Sequence, residues 1–179
     1  MRLAGFDYTE HGAYFVTICT QDRATLFGRV VKDTMRLNDA GRMVERWWDE
    51  LPRKFPQLEV DGFVVMPNHV HGLLFILGVD VRNTAITEHS GEGGHTGPPL
   101  QVTGTALPRI LQWFKTMTTN AYLSGVRDQG WPRVSGKLWQ RGYYDHIVRR
   151  EEVLNDIRQY IIDNPRRWAE DEHNPSMKP

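Results

Sequence analysis

The order of strand-like and helix-like segments predicts an α+β fold built on one antiparallel sheet. Three observations carry this reading. Four apolar stretches rich in β-branched and aromatic residues are interleaved with stretches whose apolar residues recur at helical spacing. Two of the strand-like stretches, Leu58–Met66 and His69–Leu77, are separated only by Pro67-Asn68, where proline fixes φ and asparagine tolerates turn geometry. A last amphipathic stretch ends at Asn164-Pro165, because a residue before proline is pushed out of helical geometry.

Taken in order, Ala13–Thr20 reads as a strand, and Gln21-Asp22-Arg23 breaks it. Leu26–Val31 reads as a short extended piece. Asn38 or Asp39 caps a helix running to Leu51, with Met43, Val44, Trp47, Trp48 and Leu51 on one face and Pro52 as its stop. The hairpin of Leu58–Met66 and His69–Leu77 follows. Gly78–Thr105 holds Gly91, Gly93, Gly94, Gly97, Pro98 and Pro99 with no apolar period, so a flexible insertion is expected at about 78–105.

Leu107–Leu123 is helical in pattern. Pro108 suits its first turn, and Ile110, Leu111, Phe114, Met117 and Ala121 form the apolar face. Arg127–Lys137 reads as a loop, and Leu138–Val148 as a strand kinked at Gly142. Glu151 and Glu152 favour the first turn of a last helix reaching about Asp163. The charged tail beyond is expected to fray. The first six elements make a ferredoxin-like βαββαβ layout with the first and third strands central, and the additional C-terminal helix is free to cover part of the open sheet face. One domain over residues 1–179 is expected.

The formal charge is zero, with 22 basic and 22 acidic residues. That argues against a surface that is polycationic throughout, but not against a local basic patch. The single cysteine, Cys19, excludes an internal disulfide and any cysteine-based metal site, and a small buried thiol is expected there. No apolar run reaches the length of a signal peptide core or a membrane span, so a cytoplasmic setting with no membrane partner is expected.

The chemistry concentrates at two places. Side chains two apart on a strand share a face, so His69 and His71 project together and can reach one ion. Tyr160 and Asn164 are four apart and share a helix face. If that helix lies over the histidines, Tyr160 approaches the metal and Asn164 can offer it a carbonyl oxygen. Such a site suits Lewis-acid phosphoryl transfer with a tyrosine nucleophile.

These features resemble the single-tyrosine transposases of the HUH superfamily, and most closely the REP-associated tyrosine transposases. The resemblance rests on Ala13-Tyr14-Phe15-Val16-Thr17, Val65-Met66-Pro67-Asn68-His69-Val70-His71, Trp113-Phe114-Lys115, Trp139-Gln140-Arg141-Gly142-Tyr143-Tyr144-Asp145-His146 and Tyr160-Ile161-Ile162-Asp163-Asn164-Pro165. It implies that His69 and His71 bind Mg²⁺ or Mn²⁺ and that Asn164 completes the metal shell. It also implies that Tyr160 attacks a phosphate of single-stranded or hairpin DNA, giving a 5′-phosphotyrosine and a free 3′-hydroxyl, with strand transfer as the reverse step. The palindromic repeat elements of that group would be the targets, and a monomer or a homodimer the assembly.

Candidate DNA contacts are Lys115, Arg141, Tyr143, Tyr144, His146 and Arg149. Between Arg127 and Arg167 nine basic residues face six acidic ones, interleaved with aromatics, a mixture suited to phosphate contact and base stacking. His146 is also a candidate proton carrier near the site. A histidine-triad hydrolase would want a third histidine at position 73, which is Leu73, and a two-histidine phosphoesterase would want a second His-x-Thr or His-x-Ser motif. The alternative of a different class is a domesticated hairpin-DNA-binding protein without cleavage activity.

Overall fold

The computed structural model describes residues 12–77 and 106–177. The Gly/Pro-rich insertion expected at about 78–105 and the lead-in up to residue 11 lie outside the described residues. In chain order the elements are β1 (Gly12–Cys19), β2 (Gly28–Val31), β3 (Thr34–Leu37), α1 (Asp39–Asp49), α2 (Leu51–Lys54), β4 (Leu58–Val65), β5 (His69–Ile76), α3 (Ala106–Gln129), β6 (Tyr144–Val148) and α4 (Glu151–Asp163). A 3₁₀ segment, Asn164–Glu170, continues from α4.

The principal sheet has the order β4-β5-β1-β6, and every pair in it is antiparallel. The first and third strands of the βαββαβ unit are therefore central, as the ferredoxin-like reading expects. β5 is buried along its whole length because it is paired on both sides and covered on both faces.

One sheet face packs on α1 and α3. Val16, Ile18, Val70 and Leu74 meet Trp48 and Phe114 there, all essentially free of solvent. Each such side chain contributes about 1.5–3 kcal/mol relative to exposure. Trp48 stacks on Phe63 at 4.3 Å and lies flat over Gly72, where a Cβ would fall 2.2 Å from its ring. A glycine at 72 is thus the condition for seating that indole. The opposite face packs Ala13, Leu73, Phe75 and Val148 against Leu154 and Ile161 of α4. α1 is capped as expected: the Asn38 side chain accepts from the Gly41 N–H at 2.9 Å.

Differences from the sequence reading have identifiable causes in turn geometry and packing. The extended piece near Leu26–Val31 is the first arm of a hairpin, β2–β3, whose turn places Lys32 and Asp33 at φ of 48° and 59°. Those angles favour Asn-Gly, so Lys-Asp gives little local signal. α3 runs on to Gln129 because the Trp131 ring lies against Gly125 and packs on Tyr122, whose hydroxyl donates to the Pro132 carbonyl at 2.9 Å. The last strand starts only at Tyr144. Trp139 makes an isolated bridge to Thr20, and Lys115 then donates to the carbonyls of Gln140, Arg141 and Gly142 at 2.7, 3.2 and 3.0 Å, holding that stretch out of the sheet.

The tail does not fray. Asn174 is buried and donates to the Trp168 carbonyl at 2.9 Å, and the Arg23 guanidinium donates to the Glu172 carbonyl.

Candidate metal centre and nucleophile

His69 and His71 stand on β5 on the face under α4, opposite Cys19 and Thr17 of β1 in the ladder. Both rings are buried, and their Nε2 atoms face each other at 3.0 Å. Burial is the main cause that holds both imidazoles neutral. It takes His71 down to about 3 and His69 well below the usual histidine range, with His71 and His173 adding repulsion at His69. Cys19 is half-buried, and burial raises its thiol pKa.

The partners of the outer ring nitrogens orient the pair. Asn68 donates both N–H bonds of its side-chain amide, to the Arg23 carbonyl at 3.0 Å and to the His173 carbonyl at 2.8 Å. Its oxygen is therefore the atom that meets His69 Nδ1 at 2.9 Å, so Nδ1 carries the proton and Nε2 presents a lone pair inward. His71 Nδ1 meets Thr17 Oγ1 at 2.8 Å.

α4 brings Tyr160 to the same place. Its hydroxyl is 3.4 Å from His71 Nε2, and its ring packs edge-on to Phe15 at 5.9 Å, while Phe15 stacks on His71 at 5.4 Å. Burial first, then the Asp171 carboxylate, raises the Tyr160 pKa, and the Asn164 side chain works the other way by favouring the phenolate. Asn164 sits where α4 passes into the 3₁₀ segment. It is buried, and its Oδ1 has no hydrogen-bond partner. An orphaned buried carbonyl oxygen one helical turn from Tyr160, with the lone pair of His69 Nε2 turned inward, fits a cation.

Two residues absent from the sequence reading complete the cluster. Asp171 Oδ1 accepts the His173 N–H at 2.7 Å, and its Oδ2 lies 3.8 Å from His69 Nε2. The candidate ligand atoms of His69, His71 and Asp171 lie within 4.8 Å of one another. The His173 ring centroid is 4.6 Å from that of His69. Nitrogen and oxygen donors of this mix suit a divalent ion. The only sequence cues were the turn-forming residues Asp171, Asn174 and Pro175, which fold the tail back on itself.

The other candidate contacts spread around this centre. Lys115 uses its ammonium on three carbonyls and lines a groove with Trp139, Gln140 and Arg141. His146 and Arg149 line a separate open groove with Arg150 and Val153. Tyr144 is 61% exposed on β6 and shares its face with His71, because both register with Thr17 of β1. His146 registers with Phe15 on that same face, so an exposed aromatic and an exposed imidazole flank the buried pair. Tyr143 packs partly against the α1–α3 core, and Arg141 is exposed.

No helix among the described residues is long and apolar enough to cross a membrane. No protein-family model matches the sequence. A protein of Haemophilus influenzae, described only as uncharacterized, is 34% identical over 184 residues, spanning 96% of this chain and 90% of that one. Among solved structures, a REP-associated tyrosine transposase bound to a REP hairpin superposes with a TM-score of 0.52 at 18% identity, over 87% of this chain and 67% of that chain. A structure from Deinococcus radiodurans, also 18% identical, superposes at 0.47 over 92% of this chain and 97% of that one. The fold is thus shared with the REP-associated transposase structure, and the chain belongs to the same family as the Haemophilus influenzae protein.

Proposed function

We propose that the protein is a metal-dependent nuclease and strand transferase that cuts single-stranded or hairpin DNA through a covalent tyrosine intermediate. The observation that carries this reading is the meeting of a buried His69–His71 pair with the hydroxyl of Tyr160, 3.4 Å from His71 Nε2, beside the partnerless Asn164 Oδ1. His69 and His71, with Asn164 Oδ1 and Asp171 Oδ2, are the groups that would hold Mg²⁺ or Mn²⁺. The cation would polarise the scissile phosphoryl group as a Lewis acid.

The chain's own residues prepare the attack. Burial keeps the Tyr160 phenol neutral at rest, and Phe15 fixes its ring against His71. As the Tyr160 oxygen bonds to phosphorus it gives up its proton. The bond from phosphorus to the 3′ oxygen breaks, and that oxygen takes up a proton to leave a free 3′-hydroxyl. The 5′-phosphotyrosine keeps the phosphodiester energy, so a 3′-hydroxyl of a second strand reverses the step and joins DNA. Exposed Tyr144 and His146 on the same sheet face offer a path along β6 to the nucleophile.

The test is a cleavage assay on labelled hairpin DNA with Mn²⁺ or Mg²⁺, with Tyr160→Phe in parallel. The expected result is metal-dependent cleavage and a covalent protein–DNA adduct from the wild type and neither from the variant. Tight hairpin binding with no cleavage by the wild type would replace this reading with that of a domesticated DNA-binding protein.

A further inference from the structure

The β2–β3 hairpin pairs two arginines where a sheet normally avoids like charges. Arg29 of β2 and Arg36 of β3 are direct cross-strand partners. Partners in an antiparallel ladder have Cβ atoms about 5 Å apart, and like charges placed so repel. Both side chains are on the exposed face of the hairpin, which otherwise carries Val31 and Thr34. Neither guanidinium has a hydrogen bond or ion pair among the described residues. Over the whole hairpin three cations stand against one carboxylate, although the chain as a whole is neutral. One charged residue would be enough to protect a ribbon edge, and a facing pair adds repulsion without adding protection.

The hairpin is also held beside the candidate centre. At its base the N–H groups of Leu26 and Phe27 both donate to the Pro67 carbonyl, two residues before His69. β3 contacts the 3₁₀ segment that begins at Asn164 and carries the exposed Arg166 and Arg167. The hairpin therefore borders the element that supplies Asn164.

We propose that Arg29 and Arg36 form a two-pronged clamp on the phosphodiester backbone of the DNA strand, gripping it beside the catalytic centre. A phosphate between two guanidiniums accepts charge-assisted hydrogen bonds from both and removes their mutual repulsion. Next to the prongs on the same face, Val31 is apolar and the Thr34 hydroxyl is spent on the Lys32 carbonyl, so the clamp acts on any sequence. This inference rests on the DNA-processing reading of the centre and adds the surface that holds the strand.

The test measures binding of a fluorescent single-stranded DNA oligonucleotide to the full chain across a salt series. The proteins compared are the wild type, the double variant Arg29→Ala/Arg36→Ala, and Arg53→Ala, whose guanidinium is paired with Glu50. A clamp on one phosphate predicts that the double variant loses about 0.7 from the slope of log K against log salt, and binds roughly tenfold more weakly near physiological salt whatever the sequence. Arg53→Ala should match the wild type. An unchanged slope in the double variant overturns the clamp alone, and so does an equal loss in Arg53→Ala. Absence of DNA binding by the wild type overturns the clamp together with the reading of the centre. Thermal melts of all three proteins exclude loss of the fold as the cause.

Discussion

The buried imidazole pair makes the metal-free protein sensitive to acid over a defined window. In the unfolded chain a histidine takes up its proton near pH 6.5, whereas in the fold His71 does so only near 3 and His69 lower still. Between those limits the unfolded state binds more protons, so stability is fully present above about pH 6.5 and is lost as the pH falls. Each histidine removes about 1.36 kcal/mol per pH unit. At pH 5 that is about 2 kcal/mol for His71 and about 4 kcal/mol for the pair, out of a total stability of about 5–15 kcal/mol. The choice of pH 5 keeps most carboxylates ionised, so the histidines dominate the change.

Urea unfolding in EDTA at pH 7.5, 6.5 and 5 measures this directly. With a slope of about 2 kcal/mol per molar urea, the midpoint should fall by about 2 M between pH 6.5 and 5. His71→Gln should lose roughly half of that dependence. A midpoint that stays constant from pH 7.5 to 5 would refute the argument, because it would mean that the imidazoles are solvated and that α4 and the tail do not cover them.

Two further outcomes follow from packing. Gly72→Ala would drive a methyl group into the Trp48 ring, which Phe63 and Phe114 hold in place, and should destabilise the fold by about 2–3 kcal/mol in chemical denaturation. Lys115→Met would leave the carbonyls of Gln140, Arg141 and Gly142 without their donor, with a loss of about 2 kcal/mol and faster proteolytic cleavage between Gln140 and Tyr143.

Much of the fold was legible because its signals are local. The β-branched and aromatic run in Ala13–Thr20, the Pro67-Asn68 turn and the apolar stripe from Met43 to Leu51 each point to an element without reference to the rest of the chain. The placement of His69 and His71 on a central strand followed from element order alone. That they share a face with Tyr160 required one more condition, that α4 cover that face, and Leu154 and Ile161 supply it by packing on Leu73 and Phe75.

What stayed hidden depends on contacts made outside the element concerned or on a turn without its usual residues. Asp171 reaches His69 because Asn68 bonds the His173 carbonyl, 105 residues away, and no periodicity in a charged tail announces that. The second arm of the β2–β3 hairpin was missed because Lys32-Asp33 lacks the glycine that usually marks such a turn. α3 extends past Gly125 because Trp131, beyond the helix end, packs on it.

The division of the candidate centre between two kinds of support has a thermodynamic consequence. His69 and His71 stand on a strand locked by neighbours on both edges, whereas Asp171 belongs to a segment kept in place by a few hydrogen bonds. A cation that needs all three recognises only the docked tail, so its apparent dissociation constant is the intrinsic one divided by the docked fraction. A tail docked one-tenth of the time would weaken binding about tenfold. By reciprocity the ion draws the tail down by the same factor. Ion affinity and tail order are then one equilibrium measured from its two ends, and protection of the Asp171–Asn174 amides from hydrogen exchange becomes a gauge of metal loading that needs no DNA.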